Sequence, residues 1–284
     1  MPHSIPGANV MLVGATGTGK TYSLRTLIDA GITPFILFTE PGVRTISDIS
    51  CEHLHYKYIP PATPDWSTML DSAKKINTYE FDQLAKMKSI NKQKYGQFLE
   101  VLTTLNNFTC DRCGENFGDV AQWGTDRAIC IDSLSGLNIM SMDLVVGSKP
   151  TKSMSDWGVA MDNLERLINK MTADTQCHFV LTAHLEREQD EVTGGIHLMA
   201  STLGRKLAPR LPRFFDDVVL CRKEGDQWIW STASMQVDLK GRNLPTSAHL
   251  QPTFVQLLES WKKAGGIIQP SNQGGTDQPE TKTA

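Results

Sequence analysis

Eight consecutive residues near the start of the chain constrain its fold most, because they match the pattern G-x-x-x-x-G-K-[ST] in full. They are Gly14, Ala15, Thr16, Gly17, Thr18, Gly19, Lys20 and Thr21. The apolar run 10–13 before them predicts a buried strand, and the run 20–30 after them predicts an amphipathic helix. A glycine-rich turn between strand and helix presents backbone N–H groups to phosphate oxygens. The motif therefore predicts an ATP site in which Lys20 contacts the β and γ phosphates and the Thr21 hydroxyl binds Mg²⁺.

Strand and helix patterns alternate after this motif, which predicts an α/β fold with a mostly parallel central sheet. Short apolar runs predict buried strands at 35–38, 128–131 and 179–183. Alternating polar and aromatic residues over 53–58 predict a strand that is exposed on one face. Closely spaced patterns predict antiparallel strands near the carboxyl end, at 217–221, 227–232 and 235–239. A last helix is predicted over 253–264, and its core face consists of Phe254, Leu257, Leu258 and Trp261.

Residues 64–126 interrupt this alternation and predict a helical insertion with a polar loop at its end. The sequence predicts one ATPase domain over 1–264. The Gly/Pro/Gln/Thr-rich segment 265–284 predicts a disordered tail. No apolar run approaches the roughly 18 to 20 residues that cross a membrane, so we expect a cytoplasmic protein with reduced thiols.

Polar residues at the ends of predicted strands supply the rest of a hydrolytic site. Asp132 ends the third of the predicted buried strands, where ligands bind in an open α/β sheet, and is predicted to hold Mg²⁺ together with Thr21. Ser133 follows Asp132 instead of a Glu, so the base that activates water must lie elsewhere. We predict that Glu40 is this base and that His184 senses the γ-phosphate. The alternatives are that Glu40 only forms a turn and that His184 is incidental.

These motifs together resemble the RecA-like branch of P-loop ATPases. The resemblance rests on the loop 14–21, on Glu40 and His184 at strand ends and on Ile131-Asp132-Ser133. Over 8–262 the chain is most similar to phage-encoded RecA-like ATPases linked to single-strand annealing and recombination. Similarity to that group continues in the segments 204–207, 214–218 and 240–245. The resemblance implies a RecA-like core, ATP and Mg²⁺, single-stranded DNA as a partner, a homo-oligomer and the cytoplasm of a bacterial host.

In RecA-like assemblies the nucleotide lies between subunits, and a basic residue of the neighbour completes the site. Lys240 and Arg242 follow the predicted strand 235–239, where the family places such a residue. The resemblance therefore implies that they act on a neighbour's nucleotide, and a solvated basic turn is the alternative. Two other functions stay open: a ring helicase or loader subunit, and a nucleotide-dependent assembly or regulatory protein without DNA activity.

The net charge of −3 means that affinity for DNA must come from a local basic patch. The resemblance implies DNA contacts from two loops, 135–156 and 185–212. The first loop contains Lys149 and Lys152, and the second begins with the acidic run 186–191. The predicted DNA patch is therefore the later cluster of Arg205, Lys206, Arg210 and Arg213. The alternatives are that these residues pair with the acidic run or are simply solvated.

One C-x-x-C pair, Cys110 and Cys113, is followed by glycine and resembles half of a zinc site. A structural zinc ion needs four ligands, and the sequence contains no second C-x-x-C. Cys51, His53 and His55 complete the set only if the insertion folds back over their strand. The sequence therefore favours two free thiols over zinc.

Overall fold

A seven-stranded sheet forms the centre of the protein within residues 5–87, 92–147, 149–189 and 195–271, which the computed structural model describes. Its strands are β1 (Asn9–Val13), β2 (Thr33–Phe38), β3 (His55–Tyr58), β4 (Arg127–Asp132), β5 (His178–Ala183), β8 (Asp217–Glu224) and β9 (Gln227–Ser231). Their order in the sheet is β3-β2-β4-β5-β1-β8-β9. All neighbours are parallel except β8 and β9. The predicted α/β fold is confirmed.

Both faces of the sheet are covered, and strand β1 shows how the sequence divides between them. Successive side chains of a strand point to opposite faces. Met11 and Val13 accordingly lie in one hydrophobic core, and Val10 and Leu12 lie in the other. Burial on both faces explains why the inner parallel strands have uninterrupted apolar sequences.

The described residues form nine α-helices, and some of them cover the two faces of this sheet. They are α1 (Lys20–Ser23), α2 (Thr26–Asp29), α3 (Trp66–Thr78), α4 (Phe81–Lys86), α5 (Gln97–Asn106), α6 (Leu134–Val146), α7 (Met154–Ala173), α8 (Gly204–Leu207) and α9 (Phe254–Lys263). The four predicted core residues of α9 are buried, so that prediction is confirmed. None of the described helices combines the length and the apolar character needed to cross a membrane.

The helix after the phosphate loop is interrupted, whereas the sequence predicts one helix over 20–30. The Ser23 hydroxyl donates to the Lys20 carbonyl at 2.7 Å, and the Thr26 hydroxyl donates to the Ser23 carbonyl at 2.8 Å. Such side-chain bonds compete with regular helix geometry. The two residues between α1 and α2 accordingly bond three residues back instead of four.

The insertion 64–126 lies between β3 and β4 and is mainly helical, as predicted. No residue of α3 is buried, and Trp66 is 85% exposed. In α5, Phe98 and Leu105 are buried, but Leu99 and Leu102 are largely exposed. The apolar spacing therefore identified the helices but did not show which residues are covered.

Three predictions about loops and strands are wrong. Residues 235–239 form no strand. Val237 makes a single bridge to Leu198, and Lys240 makes a single bridge to a different strand at Val218, so neither bridge extends into a ladder. The predicted loop 185–212 begins as an antiparallel ribbon of β6 (Leu185–Gln189) and β7 (Ile196–Ala200). Most of the predicted loop 135–156 belongs to helices α6 and α7.

The first residues of the predicted tail are bound to the domain. Thr125 donates its hydroxyl to the Ile267 carbonyl at 2.6 Å, and Ser271 donates to the Asp126 carboxylate at 2.6 Å. Residues 265–271 are therefore not a free tail. Residues 272–284 lie outside the described part of the chain.

Candidate nucleotide site

The predicted site residues lie at the ends of four adjacent strands. Strands β2, β4, β5 and β1 are consecutive in the sheet. Glu40, Asp132, His184 and the loop 14–21 stand at their respective carboxyl ends, which meet at one edge because the strands are parallel. Lys20 and the three other side chains line one cleft of about 670 Å³. The structure thus brings the predicted phosphate, metal and base residues together.

The backbone of the loop 14–21 requires glycine at defined places. Gly17 and Gly19 have φ angles of +79° and +82°, in the left-handed region that favours glycine. A Cβ atom on Gly14 would lie 2.3 Å from the Cys221 carbonyl oxygen on β8. Contact with β8 therefore excludes a side chain at Gly14, and the turn geometry disfavours one at Gly17 and Gly19.

Lys20 is held inside the loop and is only 6% exposed. Its ammonium group donates to the carbonyl oxygens of Gly14 and Ala15, both at 2.8 Å. Burial lowers the pKa of Lys20, while nearby acidic groups, Cys221 and Asp132 among them, oppose that shift. The cation thus lies directly beside the backbone that is built to surround phosphate.

The Asp132 carboxylate is buried and accepts a hydrogen bond on each oxygen. Thr21 donates to Oδ2 at 2.6 Å, and Thr182 of β5 donates to Oδ1 through a short bond. Burial raises the pKa of Asp132, and these two hydroxyl bonds oppose the rise. Carboxylate and hydroxyl oxygens are ligands that Mg²⁺ accepts, so the donor set of Thr21 and Asp132 fits that ion.

Glu40 and His184 form a pair at the mouth of the cleft. His184 Nε2 lies 3.4 Å from Glu40 Oε2, and about a third of each side chain is exposed. A carboxylate that remains accessible to water can accept a proton from it, and the imidazole beside it fixes the orientation of the carboxylate. This geometry suits the predicted roles.

Comparison with known families adds to this geometry. The family described as AAA domain matches residues 7–243. The chain belongs to this AAA domain family. The match includes the complete phosphate loop, and the protein is a P-loop ATPase that binds ATP.

Other comparisons are distant. No curated protein matches the sequence. One similar solved structure is a prototypical ATPase from the type III secretion system of pathogenic bacteria, with 10% identity and a TM-score of 0.39. The similarity covers 77% of this chain and 53% of that chain, so this AAA domain protein spans about half the length of that ATPase.

Sequence reasoning did not identify Trp228, which lines the AAA domain's cleft, or Thr182, which is buried behind it and bonds to Asp132. The Trp228 indole N–H donates to the Gly17 carbonyl at 3.2 Å, and its ring lies 4.9 Å from the Tyr22 ring. The ring also covers Gly19, where a Cβ atom would lie 2.9 Å from it. The pattern of β9 shows an aromatic residue on an exposed face but does not show that this face meets the phosphate loop.

Lys240 and Arg242 lie away from the nucleotide cleft of their own AAA domain. Lys240 bridges Val218 near the amino end of β8 and donates its ammonium to the Phe215 carbonyl at 2.6 Å. Arg242 pairs with Asp216 at 2.8 Å. The cleft lies at the opposite, carboxyl edge of the sheet, so a role for these residues on a neighbour's nucleotide stays a prediction.

The predicted DNA patch is partly neutralised by helix α7 of the AAA domain. Arg213 and Arg210 both pair with Glu165, at 2.5 and 3.5 Å. Lys206 is exposed, and Arg205 lies in α8. In the acidic run, Glu186 accepts a hydrogen bond from Ser201 at 2.6 Å, and Asp190 and Glu191 lie outside the described residues.

The insertion of the AAA domain does fold back over strand β3. Its cysteine pair, Cys110 and Cys113, meets His55, the first residue of that strand, and Cys51 in the turn before it. Their potential ligand atoms all lie within 4.8 Å of one another. His53 is not a member of this group. A zinc site is expected only if the insertion folds back over strand β3, and it does. The sequence-based preference for two free thiols over zinc therefore no longer applies.

Proposed function

We propose that this ATPase is a RecA-like protein that hydrolyses ATP with Mg²⁺ and acts on single-stranded DNA in phage-type recombination or replication. It would work as a homo-oligomer in the cytoplasm of a bacterial host. The observation that carries the proposal is the convergence of Lys20, Glu40, Asp132 and His184 at four neighbouring strand ends. We assign residues 1–264 to one ATPase domain, to which the segment 265–271 is bound, and the insertion 64–126 departs from a compact RecA-like core.

The chemistry follows from where these side chains stand. Lys20 binds the β and γ phosphates, and Thr21 and Asp132 hold Mg²⁺, which neutralises phosphate charge when it is bound. Glu40 orients the attacking water and takes its proton, because its carboxylate is accessible at the mouth of the cleft. His184 contacts the γ-phosphate and is linked to the base through its 3.4 Å contact with Glu40. Loss of the γ-phosphate therefore changes the contact between His184 and the base, Glu40.

DNA binding is assigned to the basic segment 205–213. Two of its arginines share one carboxylate, Glu165, so a DNA phosphate would compete for groups that are already oriented. Contacts of this kind follow the backbone and give little sequence preference.

The decisive experiment measures ATP hydrolysis with and without single-stranded DNA, and DNA binding as a function of salt. Stimulation by DNA and loss of turnover in Lys20→Ala are the expected results. Substituting Arg205, Lys206 and Arg210 together by Ala should weaken DNA binding. It should also reduce the slope of log K against log salt by about 2, at about 0.7 per phosphate contact. Basal hydrolysis should persist.

A matched control removes two other helix cations that pair with carboxylates. Arg166 and Lys170 lie on α7 and pair with Asp162 and Asp174. Replacing both by Ala changes the net charge without touching the proposed patch, so DNA binding should change little. Equal salt slopes for the parent and the triple variant would show that these residues do not bind DNA.

The oligomeric site is tested by mixing two inactive variants. Lys20→Ala lacks its own phosphate site but still offers Arg242, while Arg242→Ala keeps its own phosphate loop. Partial recovery of hydrolysis on mixing supports a shared site, and turnover that is independent of protein concentration in a monomer contradicts it. Directional unwinding would favour a ring helicase or loader. Absence of any DNA effect would favour a nucleotide-dependent assembly or regulatory protein.

A further inference from the structure

Four side chains at the junction between the insertion and strand β3 form a compact cluster of metal-ligating groups. We propose that Cys51, His55, Cys110 and Cys113 bind a structural Zn²⁺ ion that fastens the end of the insertion to the ATPase sheet. The site lies apart from the nucleotide cleft and shares no residue with it. The proposal therefore does not depend on the function proposed above.

The distances within the cluster suit a tetrahedral ion. With Zn–S bonds of about 2.3 Å and Zn–N bonds of about 2.0 to 2.1 Å, tetrahedral geometry places a sulfur about 3.6 Å from the nitrogen and about 3.8 Å from another sulfur. Cys113 Sγ lies 3.7 Å from His55 Nδ1, and all four ligand atoms lie within 4.8 Å of one another. Only small side-chain adjustments are needed to surround an ion.

The local backbone presents the two cysteines of the C-x-x-C pair from one tight turn. We call residues 108–118 the insertion hairpin, because Phe108 and Gly118 are hydrogen-bonded across it at 2.9 Å. At its tip the Cys110 amide bonds to the Glu115 carbonyl at 2.9 Å and the Gly114 amide bonds to the Cys110 carbonyl at 3.0 Å. Gly114 has φ +73°, which a glycine adopts without strain. Both thiols are thereby directed to one side of the turn.

The two residues between the cysteines hold the insertion hairpin against the segment that supplies the other ligands. Asp111 pairs with Lys57 at 2.7 Å and accepts the Tyr58 amide at 2.8 Å. Arg112 donates to the Ile49 carbonyl and lies over the Tyr56 ring at 5.2 Å. The approach of the two ligand pairs is therefore fixed by contacts other than the ligands themselves.

The histidine is also held in place before any ion binds. The His55 ring packs against Phe35 at 4.7 Å and against Phe117 at 4.2 Å between ring centroids. Phe117 belongs to the insertion hairpin, so the same contact orients the ring and joins the two segments. Fixed ring orientation is characteristic of histidines that ligate metals.

The chemistry of the donor set selects zinc and a structural role. Three thiolates and one imidazole favour Zn²⁺ over the hard ions Mg²⁺ and Ca²⁺. Four protein ligands leave no open position for a substrate, as in structural zinc sites. A disulfide would use only two of the three sulfurs and would leave the histidine contact unexplained. An ion that joins residues 55 and 110 closes a long loop. Closing a long loop restricts the unfolded chain more than closing a short one and therefore stabilises the fold more.

The experiment measures the metal content of the full chain after purification without chelator. We expect about one zinc per chain by elemental analysis, retained on dialysis. Cys113→Ser is the principal variant, because Cys113 is exposed and its replacement leaves the core intact. This variant and Cys51→Ser should lose zinc to a chelator that does not strip the parent. His53→Ala is the matched control, since this exposed neighbour of His55 lies outside the cluster, and it should keep its zinc.

Cobalt replacement and hydrogen exchange provide two readouts besides zinc content. Co²⁺ added to the metal-free parent should give thiolate-to-metal charge-transfer absorption, and Cys113→Ser should lose about a third of that intensity because one of three thiolates is gone. Removing zinc should speed amide exchange in the insertion hairpin but not in the loop 14–21. A parent without zinc and without the cobalt absorption overturns the proposal. So do serine variants that retain zinc as the control does, or a disulfide within the cluster of the freshly purified chain.

Discussion

Replacing Thr182 by Val tests how the sheet keeps a buried carboxylate ionised. Thr182 is 0% exposed, and its hydroxyl donates to Oδ1 of Asp132. Val has nearly the same shape, so the change removes a hydrogen bond without opening a cavity. Hydrogen bonds to charged groups contribute about 1.5 to 3 kcal/mol. The ionisation equilibrium of Asp132 should therefore shift by about 10- to 150-fold toward the protonated form.

The direction of the change follows from the environment of the carboxyl group. Burial raises the pKa of Asp132, and the Thr182 hydroxyl is one of two groups that lower it. Without that hydroxyl, protons compete better with Mg²⁺, so the acid limb of the ATPase pH profile should move to higher pH. The Mg²⁺ concentration for half-maximal activity should rise at low pH and return toward the parent value at high pH.

The assay is steady-state ATP hydrolysis over a range of pH at several Mg²⁺ concentrations. Thr182→Ser keeps the hydroxyl and should follow the parent, which separates the hydrogen bond from any effect of packing in β5. If the Val variant and the parent have superimposable acid limbs, the bond does not control ionisation and the reasoning fails.

Three further predictions address the base, the loop and a buried histidine. Glu40→Gln should retain ATP binding but lower kcat by about 10²- to 10⁴-fold, and an unchanged kcat would place the base elsewhere. Gly14→Ala should cost about 1 to 3 kcal/mol in urea unfolding, because its Cβ meets a backbone oxygen. Gly158→Ala in α7, which meets nothing within 4 Å, should be neutral or stabilising. Burial lowers the pKa of His178 to about 4, below about 6.5 in the unfolded chain. The unfolded state therefore binds the proton first, and the free energy of unfolding should fall by about 3 kcal/mol between pH 6.5 and 4, a loss that His178→Asn should reduce.

The nucleotide site was predictable because its signals are local in the sequence. The loop 14–21 fixes its own backbone through its glycines, and the strand that ends at Asp132 is buried on both faces and therefore continuously apolar. Once parallel strands are inferred, the rule that their carboxyl ends share one edge places Glu40 and His184 near the loop. No knowledge of side-chain packing is required for these steps.

Other features depend on which elements meet, and the sequence does not give that information. Thr182 bonds to Asp132 because β5 lies beside β4, and Trp228 covers the loop because β9 follows β8 at the far side of β1. Helical spacing found α3 but not its exposure, since an apolar face is covered only when another element reaches it. The cysteine pair met its partners because the insertion hairpin turns back onto β3, which a pattern of residues cannot show.

The position of Trp228 has an optical consequence. Its indole donates to the phosphate loop, whereas Trp123, Trp230 and Trp261 are at most 2% exposed in the cores. Indole emission depends on the polarity and hydrogen bonding around the ring. A ligand that enters the cleft should therefore change the emission of Trp228 more than that of the three buried tryptophans. A titration of intrinsic fluorescence, with Trp228→Phe as the blank, therefore reports nucleotide occupancy directly on the unlabelled protein.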